Sequence, residues 1–239
     1  MDPLNTAITE VWENHPDELY RQDQSHYRGV GRWADDEQWL GIGQSTLKKV
    51  RDLWHVLGRS PERLADKVIL EWGPGGGANA YGLKSICSRY HGIDISGKNL
   101  AEACRVLAFE SKSSYFHPLL LGDAPASIAA SIPKEIDIFL STAVFQHFPS
   151  RDYGCEVLHA IRSVCRDDAA GFIQIRFDNG REKYRGIQNL EEYQMKHIFA
   201  NSYPIDEFWD HCVKAGFRPL YVGGIRSANN YATFLLSAR

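Results

Sequence analysis

The sequence predicts an α/β protein built on a doubly wound, mainly parallel sheet, with a helical extension ahead of it. From Val68 onward, short apolar runs of strand length alternate with segments of helical period, the pattern that buries a parallel sheet between two helical layers. The first run, Lys67-Val68-Ile69-Leu70-Glu71-Trp72, passes straight into Gly73-Pro74-Gly75-Gly76-Gly77 and then into helix-forming residues from Ala78. The last two apolar runs have no helix between them, so they are expected to pair as an antiparallel hairpin at one edge.

Ahead of the first core strand, residues 1–66 read as a helical extension, and residues 67–239 as the sheet domain. Leu4 to Trp12 is expected to be helical, and Pro16-Asp17-Glu18-Leu19 opens a second helix. The stretch from His26 to Trp33 has no period and contains Gly29 and Gly31, so it reads as a loop. Asp35 is an N-cap for a helix carrying Trp39. A separate long helix is expected from Gln44 to Leu57, where Leu47, Val50, Leu53, Trp54 and Leu57 recur on one face.

Beyond the glycines, a helix is expected from Ala78 to Ser88, a second strand over Tyr90 to Ile95, and a helix capped by Ser96. A third strand (Tyr115 to Leu121), a short helix (Ala124 to Ser131) and a fourth strand (Ile136 to Leu140) follow. A helix from Arg151 to Cys165 leads to a fifth strand, Gly171 to Phe177. A polar excursion over 178–201, an amphipathic helix over 204–215 and the two closing strands (Phe217 to Gly223, Tyr231 to Leu236) complete the chain.

The composition bounds the function. With 239 residues, 44% of them apolar, the chain can bury a sizeable core, and a formal net charge of −3 argues against a dedicated nucleic-acid or anionic-membrane binder. No apolar run reaches the roughly 18 residues that cross a bilayer, and the N-terminus lacks the basic and apolar regions of a signal peptide. The five cysteines (Cys87, Cys104, Cys155, Cys165, Cys212) are odd in number and show no CxxC spacing, as reduced thiols of a cytoplasmic protein would. Nothing in the sequence sets an oligomeric state.

A strand, a glycine turn and a helix N-terminus together present free backbone N–H groups to a ligand. In a doubly wound sheet that ligand lies at the carboxyl ends of the strands. The residues at those ends are Glu71, Gly73, Gly75 and Gly77 after the first strand, Asp94 after the second, Asp123 after the third, and Gln146 and His147 beyond the fourth. A carboxylate at Glu71 suits a ligand with a cationic or hydroxyl group better than a bare pyrophosphate. Asp94, 17 residues beyond Gly77, can accept both hydroxyls of a ribose, and Asp123 can accept from an exocyclic amine. Gly73-x-Gly75-x-x-Ala78 also fits the dinucleotide fingerprint, which keeps an NAD-dependent oxidoreductase open, although no hydride-transfer constellation follows it.

On Glu71-Trp72-Gly73-Pro74-Gly75-Gly76-Gly77, Gly92-Ile93-Asp94-Ile95-Ser96, Gly122-Asp123-Ala124 and Ile136-Asp137-Ile138-Phe139 with Phe145-Gln146-His147-Phe148, the chain resembles the class I S-adenosylmethionine-dependent methyltransferases. The resemblance covers residues 67–239 and implies a seven-stranded Rossmann-like sheet with one reversed strand. It implies that the glycine turn holds the methionine moiety of S-adenosylmethionine, Asp94 the ribose and Asp123 the adenine, with Ala124, Ser141 and Gln146 also lining the cofactor. Trp72 departs from the small or aliphatic residue more usual in the family.

The acceptor is read from less. A hydroxyl must lose its proton, and His147 follows the fourth strand where the transferred methyl is expected, so it is the candidate general base. His26 and Asp178 are reserve candidates. Ser141-Thr142-Ala143-Val144 stands where amino-methylating relatives carry an Asn/Asp-Pro-Pro-aromatic motif, which argues against nucleic-acid bases. A sugar or other small hydroxylated metabolite fits better, with Tyr20, His26, Tyr27 and Trp33 as a substrate-binding lid whose rings stack on its apolar faces. N-methylation of a small amine and a non-catalytic binding protein are the alternatives. Some sugar methyltransferases use Mg²⁺, but no ligand cluster here assigns a metal.

Overall fold

The computed structural model describes residues 3–108, 115–122, 124–226 and 228–238. By its contacts the chain divides into two compact units, Trp12–Leu120 and Met1–Val11 with Leu121–Arg239. This division follows packing and does not coincide with the sequence boundary at residue 66.

The chain opens with helix α1 (Pro3–Trp12). Within Trp12–Leu120, helix α2 (Glu18–Gln24) is capped by Asp17, whose carboxylate accepts from the backbone N–H of Tyr20. Asp35 caps helix α3 (Asp36–Val56) in the same way, through the N–H of Glu37. The sequence predicts two helices here, and the structure has one. Gly41 and Gly43 lower helix propensity, but tertiary packing overrides them. Trp39 is fully buried against Ala78 and Val106, and Gly43 lies on the next helix, α4 (Ala78–Leu83). A Cβ at Gly43 would sit 2.5 Å from the Ala78 carbonyl oxygen and 2.7 Å from the Gly82 Cα, so only glycine permits that approach.

Strand β1 (Lys67–Trp72) precedes α4, and β2 (Cys87–Asp94), α5 (Gly97–Ala108) and β3 (Phe116–Leu120) follow it. Helix α4 stops at Leu83 rather than running to Ser88, because β2 begins at Cys87 to pair with Lys67 of β1. β1 and β2 are parallel, as are β2 and β3.

In the other unit, β4 (Ile136–Ser141) leads through a short 3-10 turn, Phe145–His147, to α6 (Arg151–Val164), which Ser150 caps. Strand β5 (Cys165–Arg176) starts earlier than its apolar stretch suggests, and its first residues Arg166, Asp167 and Asp168 are exposed. The polar excursion holds one short helix, α7 (Tyr193–Lys196), among 3-10 turns. Helix α8 (Ile205–Lys214) and strands β6 (Arg218–Arg226) and β7 (Tyr231–Ser237) end the fold. Phe145, Phe148, Tyr153, Tyr203, Phe208 and Phe234 form an aromatic core, with Phe208 edge-on to Phe234 at 4.8 Å between centroids.

The seven strands follow the order β3-β2-β1-β4-β5-β7-β6. β7 runs antiparallel to both β5 and β6, the one reversed strand that the resemblance implies. Among the described residues no helix is long and apolar enough to cross a membrane.

Candidate functional site

Within Trp12–Leu120, three glycines of the turn after β1 adopt left-handed backbone: Gly73 at φ +77°, Gly75 at +51° and Gly77 at +84°. The turn is also pressed by the chain's own backbone. The Gly76 N–H donates to the Ser25 carbonyl at 2.7 Å, and Cβ atoms at Gly75 and Gly76 would fall 2.5 and 2.6 Å from the carbonyl oxygens of Ser25 and His26. Glycine therefore serves here to let the segment after α2 lie directly on the turn.

Glu71, at the end of β1, is fully buried. Asn79 Nδ2 donates to its Oε1 and Tyr90 Oη to its Oε2, each at 2.6 Å, and Thr46 donates to Asn79 Oδ1 at 2.7 Å. Burial outweighs these bonds and raises the Glu71 pKa from 4.5 to about 7. Asp94, at the end of β2, is likewise pushed by burial from 3.8 to about 6. Its Oδ1 accepts from the Ser96 N–H at 2.9 Å, whereas the contacts to its Oδ2, from Gly75 N–H and Asn99 Nδ2, are 3.4 Å long. A carboxylate offers about four lone-pair sites, so Oδ2 keeps acceptor capacity for hydroxyl donors. Ser25, whose carbonyl accepts from the Gly76 N–H, has its Oγ buried without a hydrogen-bond partner among the described residues. A polar, hydroxyl-bearing ligand fits this donor and acceptor set.

The expected lid residues are largely occupied with one another. Arg21 is buried, bonds Glu18, Asn99 and Tyr27, and lies 5.1 Å above the Tyr27 ring. Burial lifts the Tyr27 hydroxyl to about 12. His26 sits at φ +59° with its ring edge-on to Trp33 at 4.5 Å, and desolvation beside Arg32 lowers its pKa to about 4. It is neutral and weakly basic at pH 7, which disfavours it as a general base. Trp33 donates to the Asp23 carbonyl at 2.8 Å, and Tyr20 packs on His15.

Within Leu121–Arg239, Asp123 lies outside the described residues. Ala124 is extended just ahead of the 3-10 turn Pro125–Ala130, and Ser141 is buried at the end of β4. Gln146 and His147 occupy the turn after β4. His147 Nδ1 lies 2.9 Å from the His197 carbonyl oxygen. A carbonyl can only accept, so Nδ1 carries the proton and Nε2 the lone pair. The Gln146 amide donates to that Nε2 at 3.1 Å. Tyr193 Oη holds the His147 carbonyl at 2.6 Å, and the Asn201 N–H holds that of Gln146 at 2.9 Å, which fixes the turn. Asp178 is committed to the Gly180 N–H at 2.8 Å and to Arg151. Among the described residues no group of three or more His, Cys, Asp or Glu could hold a metal ion.

Sequence reasoning missed Asn79, Tyr90 and Asn99, the partners that hold the two carboxylates, because they are ordinary polar residues of regular elements. Arg176 is the one charged residue of the otherwise apolar or neutral stretch Ala169 to Phe177, and it is buried.

Residues 70–172 match the family model of a methyltransferase domain. Among solved structures the chain is similar to magnesium protoporphyrin IX methyltransferase from Synechocystis PCC 6803 with bound SAM, at 15% identity and a TM-score of 0.65, over 99% of this chain and 97% of that one. A putative S-adenosylmethionine dependent methyltransferase from Listeria monocytogenes matches at 15% identity and a TM-score of 0.53, over 80% of this chain and 99% of its own. A SAM-dependent methyltransferase from Methanosarcina mazei matches at 15% identity and 0.56, over 72% and 92%. At such identities the likeness is one of fold. No curated protein matches the sequence.

Proposed function

We propose that this chain, a class I S-adenosylmethionine-dependent methyltransferase, moves its methyl group to a hydroxyl of a small molecule, a sugar or other hydroxylated metabolite. Bound S-adenosylmethionine supplies an electrophilic sulfonium methyl. The residues of the chain supply alignment and proton removal. In this reading the glycine turn of Gly73, Gly75 and Gly77 takes the methionine moiety, Asp94 the ribose diol and Asp123 the adenine. Glu71, Ala124, Ser141 and Gln146 complete the set.

The observation that carries the hydroxyl reading is the fixed tautomer of His147. Its Nδ1–H is anchored on a backbone carbonyl, so the lone pair sits on Nε2, as a general base requires. The acceptor hydroxyl would take the place of the Gln146 amide at Nε2 and give up its proton there as its C–O bond forms, while the methyl C–S bond breaks and S-adenosylhomocysteine leaves as the thioether. An amine acceptor would need no such base. The test is transfer of labelled methyl from S-adenosylmethionine to matched pairs of alcohols and amines. Label on the alcohols is expected; label confined to the amines would overturn the hydroxyl reading.

Residues 1–66 act in this reading as a substrate lid, supported by the seat of Ser25 and His26 on the glycine turn. S-adenosylhomocysteine should slow amide exchange across residues 17–40. Equal exchange with and without it would make the extension static.

A further inference from the structure

Five buried side-chain polar atoms lack a hydrogen-bond partner among the described residues, and three of them, Arg176 Nε, Gln146 Oε1 and Asn230 Oδ1, belong to residues that bond Tyr231 or adjoin it in the chain. Arg176 Nη2 and Gln146 Nε2 each lie 3.4 Å from the Tyr231 hydroxyl, Arg176 and Tyr231 face each other across β5 and β7, and Asn230 precedes Tyr231 in the chain. Arg176 is 5% exposed and Gln146 1%.

The guanidinium is walled by aromatic rings, with Phe199, Tyr231 and Tyr184 centroids 4.3, 5.4 and 5.7 Å from its central carbon. Among the described residues its one short bond is Nη1–H to the Ile198 carbonyl at 2.5 Å. No ion pair reaches it among the described residues. The nearest carboxylates in sequence are engaged elsewhere, Asp178 with Arg151 and Glu182 with Arg185. Lys183, 5.2 Å from the Phe199 centroid, adds positive charge. An arginine cannot shed its proton, so a buried guanidinium without a counter-ion calls for an external anion.

We propose that Arg176, Tyr231 and Gln146 form a recognition site for a hydroxylated carboxylate. The carboxylate accepts from Arg176 Nε–H and from the Tyr231 hydroxyl, which already accepts twice and has its proton to give. A hydroxyl of the ligand donates to Gln146 Oε1, and the Asn230 amide oxygen is a second acceptor at the same hairpin end. The rings of Phe199 and Tyr184 flank a flat, singly charged group better than a phosphate. Resting on the methyl-transfer reading, this makes the acceptor a hydroxy acid, such as a sugar acid or a hydroxybenzoate, recognised by Arg176, Tyr231 and the Gln146 amide oxygen beside His147.

The test is calorimetric titration of the protein loaded with S-adenosylhomocysteine, using glucuronate and para-hydroxybenzoate, their neutral amides, and phenyl phosphate. At least one acid is expected to bind more tightly than its amide, and more weakly as salt rises. Arg176→Gln should cost that acid roughly 10- to 100-fold in affinity, Arg176→Lys less, and leave the amide unaffected. Because it removes an uncompensated buried charge, Arg176→Met should hold or raise the Tm. Acids binding no better than their amides, or Arg176→Gln leaving the acid unchanged, would overturn the site. Tighter binding of phenyl phosphate would replace the carboxylate with a phosphate. A fall in Tm with equal loss of acid and amide would make Arg176 a strut for Ile198. The two readings fail separately. Full-rate methylation of a hydroxy acid by Arg176→Gln, with its affinity unchanged, sinks the anion site alone, and Arg176-dependent acid binding without methylation of any hydroxyl sinks the O-methyl reading alone.

Discussion

In Trp12–Leu120 the buried ionisable groups Glu71 and Asp94 each meet two or more hydrogen-bond donors, whereas in Leu121–Arg239 the buried Arg176 meets one carbonyl at short range and three aromatic rings. The difference is chemical. A carboxyl pressed into low dielectric takes up a proton, and both Glu71 and Asp94 move that way, to about 7 and about 6. A guanidinium has no such escape. One unit therefore carries carboxyls whose burial draws a proton, and the other carries a charge that meets no ion-pair partner among the described residues.

Two substitutions sharpen this contrast, one in each unit. The larger effect is expected from His147→Ala, which in the proposed O-methyl reading removes an interaction made only in the transition state. It should lower kcat by roughly 10²–10⁴-fold and leave the affinity for S-adenosylmethionine within a few-fold. Intact kcat with lost cofactor affinity would move His147 into the cofactor set and send the search for the base elsewhere. Asp94→Ala should do the reverse. It should weaken S-adenosylmethionine binding by about 10- to 150-fold, the worth of one charge-assisted hydrogen bond, and change kcat at saturation little. Unchanged affinity in a calorimetric titration would remove Asp94 from the site.

The two units also differ in how legibly the sequence describes them. Strand, glycine turn and helix were readable in Trp12–Leu120 because the turn needs left-handed backbone at Gly73, Gly75 and Gly77, a demand that composition displays. The N-cap at Asp35 was legible for the same local reason. The continuity of α3 was not, because it depends on Gly43 meeting α4, a contact between residues far apart in the chain. In the other unit the hairpin of β6 and β7 was legible from the missing helix, while the start of β5 was hidden under charged residues. The network of His147, His197 and Tyr193 joins residues about fifty positions apart, so no local pattern encodes it. Arg176 stood in plain view as a charge in an apolar strand, but its meaning depends on what fails to pair with it.

The smallest expected effect, on stability rather than activity, tests whether burial does draw a proton to Glu71. Its folded pKa of about 7 lies above its ordinary value of 4.5, so between those values the folded protein holds a proton that the unfolded chain has released. Stability from this group is therefore fully present below pH 4.5 and is lost as pH rises towards 7, at a slope of up to about 1.4 kcal/mol per pH unit. Glu71→Gln keeps the shape, can accept from Asn79 and donate to the Tyr90 oxygen, and cannot titrate. Urea unfolding should find the variant gaining on the wild type as pH rises, by an amount on the order of 1–3 kcal/mol, and levelling off above neutrality. Asp94 imposes a slope of the same sign on both proteins between 3.8 and about 6, so the difference between them isolates Glu71. Parallel curves would mean that Glu71 titrates in the folded protein near its ordinary value of 4.5. The carboxylate would then be held by its two donors strongly enough to offset burial, and the contrast with Arg176 would narrow to one of partners alone.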